Sequence, residues 1–453
     1  MLSRFLAPGL GVLLIGLFGL LYALDYPLYV QVLTWYGVDL FRWPFIDTYS
    51  ILSAVDCARQ GVDVFVSNPC NVLPGQFNYS PFVLLAKWLP VTRQCTVMFG
   101  LGFAALFLGS LAALPAPRRR AEQALRVAVT LSPVTVFGLE RANFDLLVFG
   151  LVMMAGMILV HARRGRLLAY PILLLAGLLK YYPVVALAAL LRERSRVVVA
   201  LGLCCGVALA AFVWFMDADI LRSLATVPKG TYFAEAFGAV NLPRGLAALI
   251  SDSLSLAARR QRIGDGLLAL FGLYSLVSAR RWVLDQDFRV RFERLTQAES
   301  VPLVLGALVI AGCFWTGQSV YYRAIFLLPV LPGLLAMARP QADGDAWATS
   351  LFRRLALLMI VVTWGEAPRH VFVAWTNAPS GLATVGKLAD LVLWLVRELA
   401  WWQLIAMLAA VVWLFVRRAP ILQDMRPRAV LAWIRSLVIS PRPALLPSSR
   451  TEP

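Results

Sequence analysis

The chain has 453 residues, of which 60% are hydrophobic and 15% charged, with a mean hydropathy of +0.74. That composition does not suit a soluble globule and reads instead as a polytopic membrane protein. The net charge of +17 would point to nucleic acid in a soluble chain. Here the arginines fall in short clusters between apolar runs, with no basic surface interleaved with stacking aromatics, so the excess follows the positive-inside rule and nucleic acid is not expected as a partner.

A helical crossing needs about 20 apolar residues. The run 5–24 is long enough to span, and Tyr22-Ala-Leu-Asp25 is a poor cleavage site, so the run is read as the first span. Further crossings are expected near 95–114, 123–139, 145–162, 197–215, 263–279, 300–317, 323–338, 355–375 and 389–416. Arginine clusters at 118–120, 163–166, 192–196, 280–281, 353–354 and 417–418 are assigned to the cytoplasm. Both termini then lie inside, and the loops 25–94, 216–262 and 376–388 lie outside. Arg259, Arg260 and Arg262 stand against this map.

Segment 167–191 has basic clusters at both ends but too few residues for two crossings. It is predicted to be a re-entrant hairpin turning at Lys180-Tyr181-Tyr182-Pro183, and a turn at that depth has to face protein or a wet cavity. The expected fold is all-α: a single transmembrane domain over 1–416 with about 10–12 transmembrane or re-entrant helices, followed by a cytoplasmic tail, 417–453, whose residues 431–439 form a surface helix. No internal repeat or inverted pseudo-symmetry is visible, which weakens the case for an inverted-repeat transporter.

In the first outer loop, Asp47 precedes Thr48-Tyr49-Ser50 and the apolar pattern Ile51, Leu52, Ala54 and Val55. It suits a helix N-terminus. A carboxylate at the water–lipid boundary also suits taking a proton from an acceptor hydroxyl. Cys57 and Cys70 share this loop, and in an oxidising compartment a disulfide between them would close about 14 residues and hold Phe77-Asn78-Tyr79 near the Asp47 helix. Metal ligation is the alternative for the cysteines. The only histidines, His161 and His370, have no cysteine partners at metal spacing, so no metal ligands are expected. Cys204 and Cys205 are read as core packing.

Glu140, Arg141, Asn143 and Asp145 are packed between two apolar runs, where ionisable groups are costly and commonly functional. The other reading is a tight turn with an Asn/Asp cap and an internal Glu140–Arg141 pair. Lys180, inside an apolar stretch, has to snorkel, meet an anion or pair with a carboxylate such as Glu140 or Asp145. Arg323 follows Tyr321 and Tyr322 at an outer turn, where its planar fork suits phosphate and the tyrosines also suit an aromatic belt.

The order of Asp47-Thr-Tyr49, Gly61-Val62-Asp63-Val64-Phe65, Asn78-Tyr79-Ser80-Pro81, Arg141-Ala-Asn143-Phe-Asp145 and Ala176-Gly177-Leu-Leu-Lys180-Tyr-Tyr-Pro183 resembles the polyprenyl-phosphate-sugar-dependent glycosyltransferases of the GT-C superfold, most of all glycosyltransferase family 87, also described as a DUF2029 family. The resemblance covers roughly residues 5–335. It implies a bacterial inner-membrane enzyme with its site facing the periplasm. The implied reaction is a metal-independent, inverting transfer of a mannose- or arabinofuranose-like sugar from a polyprenyl-phosphate donor to a lipid or glycan acceptor. Asp47 falls on the family's catalytic acidic residue, which accepts the acceptor's proton, and Lys180 on its donor-phosphate lysine. Arg323 and Arg141 are expected to assist at the phosphate, and Tyr79, Glu140, Asn143, Asp145 and Tyr322 to line the substrate site. The Cys57/Cys70 pair is not general to the family. Rival readings are a lipid or glycolipid transporter and an O-antigen ligase or polymerase.

Overall fold

The computed structural model describes residues 3–424 apart from 42, 74, 163, 228–230, 234, 255, 343 and 377–381, so the expected surface helix at 431–439 lies outside the described residues. The helices in chain order are α1 (Ser3–Leu24), α2 (Tyr26–Trp35), α3 (Ile46–Arg59), α4 (Thr96–Leu111), α5 (Arg120–Thr130), α6 (Pro133–Glu140), α7 (Phe144–His161), α8 (Ala169–Leu179) and α9 (Ser195–Ala225). They continue with α10 (Asn241–Ser253), α11 (Arg260–Leu284), α12 (Gln286–Glu293), α13 (Gln297–Thr316), α14 (Leu327–Met337), α15 (Ala346–Trp364), α16 (Glu366–Thr376) and α17 (Leu382–Arg417). Among the described residues, eight helices are long and apolar enough to cross a membrane, and three shorter apolar helical stretches accompany them. The fold is that of an all-α polytopic membrane protein.

Local chemistry sets the breaks. The single crossing expected at 123–139 is split into α5 and α6, because Pro133 cannot donate an N–H and holds the preceding Ser132 extended at φ −69°, ψ 159°. The crossing expected at 355–375 lies earlier, over α15, and the chain then breaks at Gly365 before the separate α16. The segment starting at Tyr321 opens as a 3-10 turn, Tyr321–Phe326, before α14. α13 starts at a capping box in which Thr296 and Glu299 satisfy each other's end groups. Two residues of strand were not foreseen: β1 (Ala236–Phe237) pairs antiparallel with β2 (Ser319–Val320), fastening the second large loop to the end of α13. Residues 77–79 form no strand, although the Phe77 N–H donates to the Val64 carbonyl at 2.9 Å.

In the core α13 packs against α7, α14 and α17, and small residues allow close approach. A Cβ at Gly333 would lie 2.8 Å from the Glu299 carbonyl on α13. Of the cysteine pair expected in the core, Cys205 is buried, but Cys204 faces outward on α9.

The bundle has two chemically distinct ends. At one, Arg339 bridges Glu122 (2.9 Å) and Glu299 (2.8 Å), and Arg166 reaches Glu193 at 2.6 Å. From that end α8 runs inward for 11 residues, Lys180 is extended, and a 3-10 helix over Tyr182–Arg192 returns. The 167–191 stretch is thus a helical hairpin with its turn at Lys180 and Tyr181. Its turn meets the start of α7, at the other end of the bundle, where Lys180 Nζ lies 2.8 Å from Asp145.

At that second end, α3 and the loop after it are held by the Cys57–Cys70 disulfide and by Arg93, whose side chain donates to the Cys70 carbonyl (3.0 Å) and whose backbone N–H donates to Asp56 (3.0 Å). Closing a loop of this size restricts the unfolded chain by about 3 kcal/mol. Cys70→Ser, or reduction of the bond, is therefore expected to lower stability by about that amount, read as an earlier thermal transition of the detergent-purified protein. An unchanged transition would show that the loop is held without the bond.

Candidate active site

Asp47 lies in the first turn of α3 and is 6% exposed. It is not the helix cap: Phe45 occupies that position in the left-handed region, at φ +62°, with no side-chain capping bond. The Asp47 carboxylate is turned toward the α6–α7 turn instead. Arg141 Nε and Nη2 donate to its Oδ1 at 3.0 and 2.7 Å, and Asn143 Nδ2 donates to its Oδ2. The backbone is stitched at the same place, with Phe45 N–H donating to the Glu140 carbonyl (2.7 Å), Asp47 N–H to that of Arg141 (3.2 Å) and Thr48 Oγ1 to that of Ala142 (2.6 Å).

The internal Glu140–Arg141 pair does not form. Arg141 pairs with Asp47, while Glu140 is buried beside Tyr29. The cause is local: Ala142 sits at φ +44°, and that left-handed residue turns Arg141 and Asn143 toward α3. Two non-glycine residues at positive φ, Phe45 and Ala142, cost roughly 1–2 kcal/mol each and persist only where their surroundings fix them.

Asn143 is the hub. It is fully buried, and as N-cap of α7 its Oδ1 accepts from the Asp145 N–H (2.9 Å) and from Lys180 Nζ (2.9 Å). Its Nδ2 donates to Asp47 and to the Tyr322 hydroxyl (2.8 Å). Both acceptor and both donor positions of the amide are used. Asp145 in turn pairs with Lys180, accepts from Tyr182 OH (2.7 Å) and lies 3.6 Å from Arg323 Nε. The Lys180 ammonium lies 5.4 Å from the ring centre of Tyr79 and 5.9 Å from that of Tyr322, within cation–π range. Arg323 stacks on Tyr182 at 4.5 Å and donates to Cys313 Sγ at 2.8 Å, while its Nε has no hydrogen-bond partner among the described residues.

Asp47, Arg141, Asn143, Asp145, Lys180, Tyr79, Tyr322 and Arg323 therefore come together, and Glu140 stands at the edge. Tyr182 and Cys313 join them without having been singled out in the sequence. Tyr182 was legible as a neighbour of Lys180; nothing in its local sequence marks Cys313. Asp56 and Asp63 serve the loop structure, pairing with Arg59 (3.0 Å) and Arg222 (2.5 Å).

A second polar cluster lies where the loop after α2, the segment before β1 and α16 meet. The ligand atoms of Asp39, Glu235 and His370 all lie within 4.8 Å of one another, with His370 Nε2 2.5 Å from Glu235 Oε1. Burial and a hydrogen bond with Asp39 push the Glu235 carboxyl up to about 10, and burial holds the His370 imidazole below its ordinary value. His370 has no partners nearby in the sequence, because these residues lie more than a hundred positions apart.

Removing one member of a buried charge pair strands the other, at a cost on the order of 3 kcal/mol or more. Lys180→Met is expected to destabilise the protein by that amount, and Lys180→Met combined with Asp145→Leu to recover part of it. Thermal unfolding of the single and double variants checks this, and strictly additive losses would count against coupling.

No family model matches the chain, and neither the curated proteins nor the solved structures include a match to it.

Proposed function

We propose that the chain is a membrane glycosyltransferase that moves a mannose- or arabinofuranose-like sugar from a polyprenyl phosphate to a lipid or glycan acceptor. The observation that carries this reading is a buried carboxylate joined through one amide to a cationic edge. A carboxylate offers about four acceptor positions, and three N–H groups occupy those of Asp47. The position that remains suits the hydroxyl of an acceptor. Arg141 holds the carboxylate in place through two donated hydrogen bonds.

On the other side of Asn143, two cations (Lys180 and Arg323) face one carboxylate (Asp145). The surplus positive charge and the unmatched Nε of Arg323 suit a phosphate oxygen. In the reaction the acceptor oxygen bonds to the anomeric carbon as the carbon–oxygen bond to phosphate breaks. The bonding pair leaves with the phosphate, the hydroxyl proton passes to Asp47, and displacement on one face inverts the anomeric centre. Lys180 and Arg323 stabilise the charge that develops on the leaving phosphate, a task that elsewhere falls to a divalent metal. Tyr79 and Tyr322, which flank Lys180, offer stacking faces to the sugar.

The orientation follows from the two ends of the bundle. Arg118, Arg166, Arg192, Arg339 and Arg418 belong to the end opposite Asp47, which by the positive-inside rule is the cytoplasmic one. On this reading the site lies at the periplasmic end of a bacterial inner-membrane protein, with both termini inside.

General-base contributions are typically 10²–10⁴-fold. Asp47→Asn is expected to reduce transfer from a panel of radiolabelled polyprenyl-phosphate sugars by about that factor in membranes of verified orientation, with the fold retained. Arg323→Gln should lower kcat more than it raises the KM for the donor. Equal transfer by wild type and Asp47→Asn would reduce Asp47 to a packing role, and no transfer by either would move the weight to transport.

A further inference from the structure

We infer that Asp39, Glu235 and His370 form a binding site for a divalent cation of the zinc type, which braces three separate chain segments beside the candidate active site. This inference stands on a different cluster and does not rest on the transferase reading.

The donor set is one imidazole and two carboxylates, which are ordinary zinc ligands with bonds of about 2.0–2.2 Å. Two ligands of a tetrahedral zinc ion therefore lie about 3.3 Å apart. The three ligand atoms here already lie within 4.8 Å of one another. His370 Nε2 and Glu235 Oε1, 2.5 Å apart, are joined through one hydrogen-bonding proton. A cation replaces that proton, which leaves to solvent, and the two atoms move apart by roughly 1 Å. Three protein ligands leave a fourth position for water, and Asp39 is exposed, which gives the ion a way in.

The surrounding charge balance favours a cation. Arg369 donates to Asp390 (2.7 Å), to both oxygens of Glu366 (3.1 Å each) and to the Phe233 carbonyl. Arg397 pairs with Glu366 and with Glu398 (2.8 Å). The two guanidiniums beside the cluster are thus matched by three carboxylates of their own. Among the described residues, no lysine or arginine forms an ion pair with Asp39 or Glu235; Glu235 pairs with His370 and shares a hydrogen bond with Asp39. Two carboxylates and one imidazole remain for a dication.

The ligands are also held in place before any ion arrives. Gly37, at φ +86°, approaches α16 so closely that a Cβ there would lie 2.5 Å from the Ala367 backbone nitrogen. That contact sets Asp39, two residues on, against the turn of α16 that bears His370. The Tyr321 hydroxyl donates to the Gly37 carbonyl at 2.6 Å. The Tyr321 N–H donates to the Glu235 carbonyl at 3.1 Å, one residue before the β1–β2 pairing. A bound ion therefore closes a ring through Asp39, Glu235 and Tyr321, whose neighbour Tyr322 contacts Asn143.

The test uses the full chain purified without a polyhistidine tag, so that its two native histidines are the only ones present. Zinc chloride is added, the excess is removed by gel filtration, and bound metal is measured by mass spectrometry alongside the thermal transition. About one zinc per chain, an upward shift of the transition, and at least a tenfold weakening in Asp39→Asn and His370→Gln support the site. Asp39 is exposed, so Asp39→Asn keeps the test valid should His370→Gln fail to fold, as judged by its elution volume. Zinc retained by a folded Asp39→Asn variant, or a wild-type protein that holds none, overturns it.

Discussion

Every element near the candidate site answers to one constraint: charged groups removed from water in an apolar bundle have to satisfy one another. Asn143 makes that possible. Its amide connects an Asp47–Arg141 pair on one side to a Lys180–Asp145 pair on the other, and it does so with no donor or acceptor left over. Because the amide has only one orientation that fits all four partners, α3, α7, the α8 hairpin and the 3-10 turn before α14 are fixed relative to each other by a single side chain. Partly satisfied networks of this kind cost more than an apolar core, whereas fully satisfied ones specify a unique arrangement. The left-handed Phe45 and Ala142 belong to the same requirement, since they aim α3 and the α6–α7 turn at each other.

What could be read in the sequence was what lies close together along it. The apolar runs marked the spans, the basic clusters marked one end of the bundle, and the segment Arg141-Ala-Asn143-Phe-Asp145 stood out because polar residues interrupt hydrophobic ones. The Lys180–Asp145 pairing was among the open alternatives, and the structure selects it over Glu140. The expected Glu140–Arg141 pair failed for the same reason that local reading succeeds elsewhere: it matched neighbours, whereas a left-handed Ala142 sends Arg141 to a carboxylate 94 positions earlier. The broken crossing at Pro133 was written in the sequence but outweighed by the continuous apolar run around it. The grouping of Asp39, Glu235 and His370 left no local trace, because tertiary packing of three segments creates it.

The two ends of the bundle use charge differently. At the Arg339 end, salt bridges to Glu122 and Glu299 tie the ends of α5, α13 and α14 into a clamp. At the Asp47 end, Lys180 and Arg323 converge on the single carboxylate of Asp145, with Asn143 linking them to the Asp47–Arg141 pair.

The return arm of the hairpin, Tyr182–Arg192, is wound as a 3-10 helix for 11 residues, well beyond the three or four usual for that form. At about 2.0 Å per residue it spans roughly 22 Å, whereas the same residues wound as an α-helix would span roughly 16 Å. The difference is roughly 6 Å, so the winding of the arm sets how deep the Lys180 ammonium stands in the site: an α-helical arm of the same residues would end that much short of Asp145 and Asn143.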